Sequence, residues 1–282
     1  MRHYVQEGNM KRTWTKAMTT VALTAGMLMT SVSAGFAGVS GRGITPYTAD
    51  TTQTSGTFME LQDYMSKDIS NLSAIQLQQL QNYFADSIIV GDSIAQNFDY
   101  YNVANGKGDV VSDNFKSASA AAYTVSAALM PVDGVTAHPM IRGQRMRIPD
   151  AVKAFGSKHV YSFFGWKSVP DPNAADEYEQ LLREIQRENP GVDVTVISAT
   201  YMCKGFQTAE NNNDMVRAFN EKMKQKCRVN GWGYLDVAPF MNDGQGNLPD
   251  EMSIDKQIHY KHPYYSLWVE LMKKYALARS GY

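Results

Sequence analysis

"SIIVGDSIAQNF", Ser87 to Phe98, changes character at a single residue. Up to Val90 it is a continuous, largely β-branched apolar run, the pattern of a strand buried on both faces of a parallel sheet. After Gly91 it is polar and helix-compatible, and Asp92 and Ser93 are both residue types that cap helix starts. A buried strand that turns directly into a helix is the opening half of a β–α–β unit.

The same kind of run recurs along the chain at Asp109–Ser112, His159–Phe164, Asp193–Ser198 and Gly233–Val237. Helical patterns stand between these runs. Ala174–Asn189 places Tyr178, Leu181, Leu182 and Ile185 on one side and is stopped by Pro190-Gly191. Asn213–Cys227 repeats the pattern with Met215, Val216, Phe219 and Met223, and Tyr264–Ala278 closes the chain with Leu267, Trp268, Leu271, Met272 and Tyr275. Phe58–Phe84 reads as one or two leading helices. The alternation predicts an α/β fold, a three-layer α/β/α sandwich with a mainly parallel, flavodoxin-like five-stranded sheet. Ligands of such sheets bind beyond the carboxyl ends of the strands, so the residues after each strand carry the functional information. Ala118–Asp150, with Pro131, Gly134, Pro139 and Gly143, is expected as an insertion beside that edge.

The 282 residues carry a formal net charge of −1, with 44 % hydrophobic residues, which suits one medium-sized domain. Basic residues form no run, so nothing points to nucleic acid. The N-terminus reads as an export signal. Lys11, Arg12 and Lys16 precede the apolar stretch Ala17–Met29, and Val32-Ser33-Ala34 supplies small residues for cleavage. That stretch is shorter than the ~20 residues of a membrane span, and no Cys follows it to take a lipid. The expected organisation is a signal peptide over residues 1–34, a flexible Gly/Thr/Ser-rich linker over 35–57 and a folded domain over 58–282. The expected product is secreted, without a stable membrane anchor after signal cleavage, and a monomer is expected.

Cys203 and Cys227 are the only cysteines. The predicted layout separates them by the return helix, about 25 Å at 1.5 Å per residue, which argues against the ~7 Å Cα separation a bridge requires.

Ser93 opens a helix, where unpaired N–H groups and the dipole favour negative charge. Taken alone it reads as a cap rather than a nucleophile. Near the other end, "IDKQIHY" (Ile254–Tyr260) places Asp255 and His259 just before the last helix. An imidazole that takes a serine proton, held by a carboxylate, is what a serine nucleophile needs. His262 is a rival base. Gly91-Asp92-Ser93-Ile94-Ala95 also approaches the G-x-S-x-G elbow of α/β-hydrolases, but that fold needs several strands before its nucleophile.

From the G-D-S at Gly91-Asp92-Ser93 and "GNLPDEMSIDKQIHYKHPYYSLW" (Gly246–Trp268), the chain resembles the GDSL/SGNH hydrolase superfamily over about Asp86–Ala278. The resemblance implies Ser93 as nucleophile, His259 as base and Asp255 as orienting carboxylate. Three departures stand out. Asp255 lies four residues before His259 where the family has three, so a bulge absorbs the extra residue or His259 leans on a backbone carbonyl. Gly165-Trp166-Lys167-Ser168 occupies the place of the family's G-x-N-D block, with Lys167 where an Asn donates to the oxyanion hole. No Gly follows the second strand, leaving Ser117, Ala118 or Ser119 as the backbone donor. Lys167, Gly165 and Ala118 are thus the oxyanion or substrate candidates. Trp166, Tyr201 and Phe206 follow strands and suit either a pocket wall or rim packing. Asp243 and Asp250 lack metal-ligand spacing, and no zinc signature or phosphate loop is present, so neither cofactor nor metal is expected.

The implied activity is that of a secreted serine esterase, removing an acyl group such as acetyl from a carbohydrate, cell-wall or lipid substrate. The partner is a small-molecule or polysaccharide ester. The alternatives are a catalytically weak or inactive protein of the same fold acting in surface polysaccharide binding or assembly, and an O-acyltransferase.

Overall fold

A computed structural model describes residues 58–280. The expected signal peptide (1–34) and linker (35–57) lie outside the described residues. In chain order the elements are α1 (Leu61–Met65), α2 (Ala74–Ala85), β1 (Ser87–Gly91), α3 (Ser93–Ala104), β2 (Lys116–Ser119), α4 (Val125–Leu129), β3 (Met140–Ile141), β4 (Gln144–Arg145), α5 (Ile148–Phe155), β5 (His159–Phe163), α6 (Ala174–Glu188), β6 (Asp193–Ile197), α7 (Asn213–Asn230), β7 (Gly233–Leu235) and α8 (Ser266–Arg279). Five strands form one sheet in the order β2-β1-β5-β6-β7, with every neighbouring pair parallel. This is the predicted flavodoxin-like order, with the chain reversing direction across the sheet beside β1.

Each central strand is buried along nearly its whole length, which is why its residues read as continuous apolar runs. Alternate side chains still divide between two layers. Ile88, Val90, Val160, Val194 and Val196 join one core with Tyr178, Leu181, Leu182 and Ile185 of α6 and Val216 and Met223 of α7. On the other face Tyr161 and Phe163 meet Tyr275 and Trp268 of α8, with ring centroids 6.5 and 5.2 Å apart. Trp268 also packs on Phe98 of α3 at 5.7 Å. The sequence patterns of α6, α7 and α8 are therefore buried faces.

The second strand lies later than its apolar run suggested. Asp109–Ser112 forms turns, because the Asp109 carboxylate takes the Val111 amide at 2.9 Å and the Val111 carbonyl accepts from Asn114 and Phe115. The strand is "KSAS", Lys116–Ser119, paired on one side only, to β1. An edge strand buries less and carries less apolar signal.

The stretch 118–150 holds the end of β2, the short helix α4, the β3–β4 hairpin and the start of α5. Arg142 and Gly143, with φ of 51° and 80°, make the two-residue hairpin turn. Buried His138 fixes the stretch from within: Nδ1 lies 3.0 Å from the Tyr123 hydroxyl and Nε2 3.3 Å from the Pro131 carbonyl.

Candidate active site

β1 ends at Gly91 with φ of +147°, and an added Cβ would lie 1.8 Å from the Phe163 carbonyl oxygen. Only glycine lets the ends of β1 and β5 approach this closely. The Asp92 amide then donates to that carbonyl at 3.2 Å.

Asp92 is the cap of α3, and Ser93 is its first residue. The buried Asp92 carboxylate accepts the Ile94 amide on Oδ1 at 2.9 Å and the Gly165 amide on Oδ2 at 3.0 Å. Burial pushes its pKa up to about 6, against the pull of these N–H groups and of His259. With capping done by Asp92, the Ser93 hydroxyl is left free of that role. Its Oγ lies 2.9 Å from His259 Nε2.

His259 sits in a closed loop before α8. Ser253 and Tyr260 form an antiparallel bridge, and the Ile254 amide donates to the His259 carbonyl at 2.9 Å. Inside the loop, Asp255 Oδ1 accepts from the Gln257 and Ile258 amides at 2.8 and 3.1 Å and from the Ser253 hydroxyl at 2.9 Å. Oδ2 is 2.6 Å from His259 Nδ1. The extra residue is taken up by Lys256, whose φ is 57°. A left-handed residue makes the turn that the four-residue spacing requires. Burial alone would raise the Asp255 carboxyl, but the bonds from His259, Gln257 and Ser253 outweigh it and hold it below the usual carboxylate range.

The loop is tied down from outside as well. The Cys203 amide donates to the Gln257 carbonyl at 2.8 Å, the Tyr260 and Thr200 hydroxyls are hydrogen-bonded, and the Tyr265 hydroxyl donates to the Ile94 carbonyl at 2.9 Å. The last tie joins the His259 segment to the first turn of the helix that begins with Ser93. A carboxylate on Nδ1 sets that nitrogen as donor, which turns the Nε2 lone pair toward the Ser93 hydroxyl. The arrangement can move a proton from Ser93 to His259 while Asp255 faces the resulting imidazolium.

The oxyanion candidates do not join this group in the same way. The Gly165 amide is committed to Asp92, so it holds the corner together instead of facing the space beside Ser93. Ala118 is buried within β2 opposite Val90, short of the strand end, because the strand starts later than its sequence suggested. Beyond the strand, the Ala120 amide donates to the Gly91 carbonyl at 3.1 Å, and the Ser117 and Ser119 hydroxyls bond to one another at 2.9 Å. Lys167 is exposed and lines a small cleft with Thr124, Ser126, Asp171 and Glu177. The Ser93 amide itself, first in α3, has no intrahelical acceptor and is an available donor. Trp166 and Phe206 are half-buried with ring centroids 5.4 Å apart and, like Tyr201, pack against the core.

Cys203 and Cys227 are buried free thiols, and burial pushes Cys203 up to about 11. Among the described residues no group of three or more His, Cys, Asp or Glu is placed to hold a metal ion. Two members of the site escaped the reading of the sequence. Asp92 appeared only as a cap, although its place between two backbone amides clamps two strands, and Ser253 had no motif to mark it.

A family model described as GDSL-like Lipase/Acylhydrolase family matches residues 89–265. No curated protein matches the chain. Among solved structures, a candidate acylhydrolase from Bacteroides fragilis NCTC 9343 is similar with a TM-score of 0.51 at 12 % identity, over 75 % of this chain and 98 % of that one. A candidate platelet activating factor from Streptococcus pneumonia gives 0.50 at 14 %, over 72 % and 93 %. A candidate GDSL-like lipase from Parabacteroides merdae ATCC 43184 gives 0.50 at 9 %, over 68 % and 95 %. At these identities the likeness is one of fold.

Proposed function

Since the chain belongs to the GDSL-like lipase/acylhydrolase family, we propose that it is an exported serine ester hydrolase with Ser93 as nucleophile, His259 as general base and Asp255 as the orienting carboxylate. One observation carries this reading: Ser93 Oγ lies 2.9 Å from His259 Nε2 while Asp255 Oδ2 lies 2.6 Å from Nδ1. Both distances are those of working hydrogen bonds, in the order proton transfer needs.

In the proposed reaction Ser93 Oγ attacks the ester carbonyl carbon as its proton passes to His259 Nε2. The tetrahedral oxyanion forms beside the start of α3, where the Ser93 amide and the helix dipole favour negative charge. Its collapse breaks the bond to the alcohol oxygen, which takes the proton from Nε2. Water then attacks the acyl-enzyme, gives its proton to Nε2, and the acid leaves as Ser93 is regenerated. The substrate is an ester of a carbohydrate, cell-wall component or lipid, with a short acyl group such as acetyl, met outside the cell by a monomer.

A second reading takes support from Lys167, an exposed lysine where the family's side-chain oxyanion donor is expected. Removing one such donor typically costs ~10²–10³ in rate, which suits a slow enzyme, one that passes its acyl group to a sugar hydroxyl, or a protein that binds surface polysaccharide without turnover. Fluorophosphonate labelling and hydrolysis of a short-chain aryl acetate, each compared with Ser93→Ala, separate these readings. Labelling and turnover that both need Ser93 support the esterase. Labelling without hydrolysis, restored by an added sugar acceptor, favours transfer. Absence of both removes Ser93 as a nucleophile.

A further inference from the structure

Four large apolar side chains stand exposed within one eleven-residue stretch: Met130 at 50 %, Val132 at 43 %, Val135 at 90 % and Met140 at 59 %. Elsewhere among the described residues, large exposed apolar groups occur singly or in pairs. Scattered exposure of that kind needs no explanation, whereas a local concentration marks a contact surface.

The stretch is also rigidly built. Asp133 Oδ1 accepts the Val135 and Thr136 amides at 2.9 and 2.7 Å, and Oδ2 accepts the Thr136 hydroxyl at 2.9 Å. Arg145 donates to the Gly134 carbonyl, the Met146 amide donates to the Pro139 carbonyl at 3.0 Å, and His138 is buried beneath. Valines and methionines are thus held outward on a braced loop.

Charge selects the occupant. Arg142 and Arg145 are exposed on the hairpin that ends the stretch, with Asp133 as the acidic residue inside it and Asp150 exposed just beyond. Arg147 is neutralised by Glu184 at 2.5 Å and Glu188 at 3.8 Å. The loop and hairpin over residues 130–145 therefore carry two arginines against one aspartate, on a chain whose formal charge is −1 overall. Apolar tips beside arginines fit an interface of acyl chains and anionic headgroups. No helix among the described residues is long and apolar enough to cross a membrane.

We infer that the 130–145 loop is a docking surface for an anionic lipid bilayer. The connection from β2 leaves the sheet at the carboxyl edge that bears Ser93, where the Ala120 amide donates to the Gly91 carbonyl at 3.1 Å, and reaches the loop through α4. The inference goes beyond the ester-hydrolase reading and does not depend on it.

The test places an environment-sensitive dye on Val135→Cys and, as a control on α7, on Val229→Cys, which is exposed at 72 %. The full chain is titrated with phosphatidylglycerol and with phosphatidylcholine vesicles. The expected result is a blue shift at residue 135 and none at 229, with at least tenfold preference for the anionic vesicles. Weakening by added salt and about fivefold weakening in an Arg142→Asn background should accompany it. In unlabelled protein, Val135→Ser with Met140→Gln should lower vesicle binding about tenfold or more, and Ser93→Ala should leave it unchanged. No shift at residue 135, equal shifts at both positions, or a concentration-dependent shift without vesicles overturns the inference, the last in favour of a second copy of this chain.

Discussion

The Gly165 amide donates to Asp92 Oδ2 at 3.0 Å, joining the turn after β5 to the corner that carries Ser93. The other carboxylate oxygen holds the Ile94 amide, so both oxygens face N–H donors. Asp92→Asn would direct its NH₂ at one of those donors. The expected result is a fall in kcat of tenfold or more with KM little changed, measured on an aryl acetate.

The same carboxyl gives stability a specific pH dependence. Its folded pKa, about 6, is above the ordinary 3.8, so the folded chain retains a proton that the unfolded chain has released. Its contribution is complete below the unfolded value and is lost as pH rises through about 6. The loss amounts to about 3 kcal/mol at most. Chemical denaturation of the wild type and Asp92→Asn at pH 4, 5, 6 and 7 should show their difference changing across this window and level above it.

Gly91→Ala should prevent folding of the site. Its Cβ would meet the Phe163 carbonyl at 1.8 Å on a backbone at φ +147°. A cost above about 3 kcal/mol is expected, seen as loss of soluble protein or a large drop in Tm. Ser93→Ala, two residues further on, should leave Tm within a few degrees and remove turnover.

Asp255→Asn should lower kcat about 10³–10⁴-fold, because the amide no longer fixes the His259 tautomer or faces its positive charge. Stopped-flow measurement should show the acylation step slowed with substrate affinity nearly unchanged.

Lys256 offers a separation of backbone from charge. At φ 57° a lysine carries strain that glycine does not. Lys256→Gly should raise stability by about 0.5–1 kcal/mol and preserve kcat, whereas Lys256→Val should lower both, as read from Tm and turnover.

Lys167→Ala should change kcat less than tenfold. The side chain is exposed in the cleft with Asp171 and Glu177, and the anionic intermediate has the Ser93 amide close at hand. A loss of a hundredfold or more in kcat would instead make Lys167 an oxyanion donor.

What the sequence exposed and what it hid follow the same physics. Buried central strands and amphipathic helices leave periodic apolar patterns, so β1, β5, β6, α6, α7 and α8 were legible. Edge strand β2 buries one side and is written "KSAS", while the more apolar Val110-Val111 is bent into turns by Asp109. Ser93, His259 and Asp255 were visible because their chemistry demands those residue types. The backbone donors around them were not, since any residue supplies an N–H and only coordinates show that the Gly165 amide is already taken. The left-handed Lys256 was hidden for a similar reason: the spacing announced an extra residue, but not the conformation absorbing it.

The Ser93–His259 hydrogen bond closes over 166 residues of sequence. Neither partner has the other until the stretch after β7 is present, and α8 then seals it with Trp268 and Tyr275 against β5. A growing chain therefore carries Ser93 long before it carries His259. Contacts of such long range slow folding, because loop-closure entropy must be overcome before they form. The Ser93–His259 pair is consequently absent until His259 has been made and its loop has docked beside the start of α3.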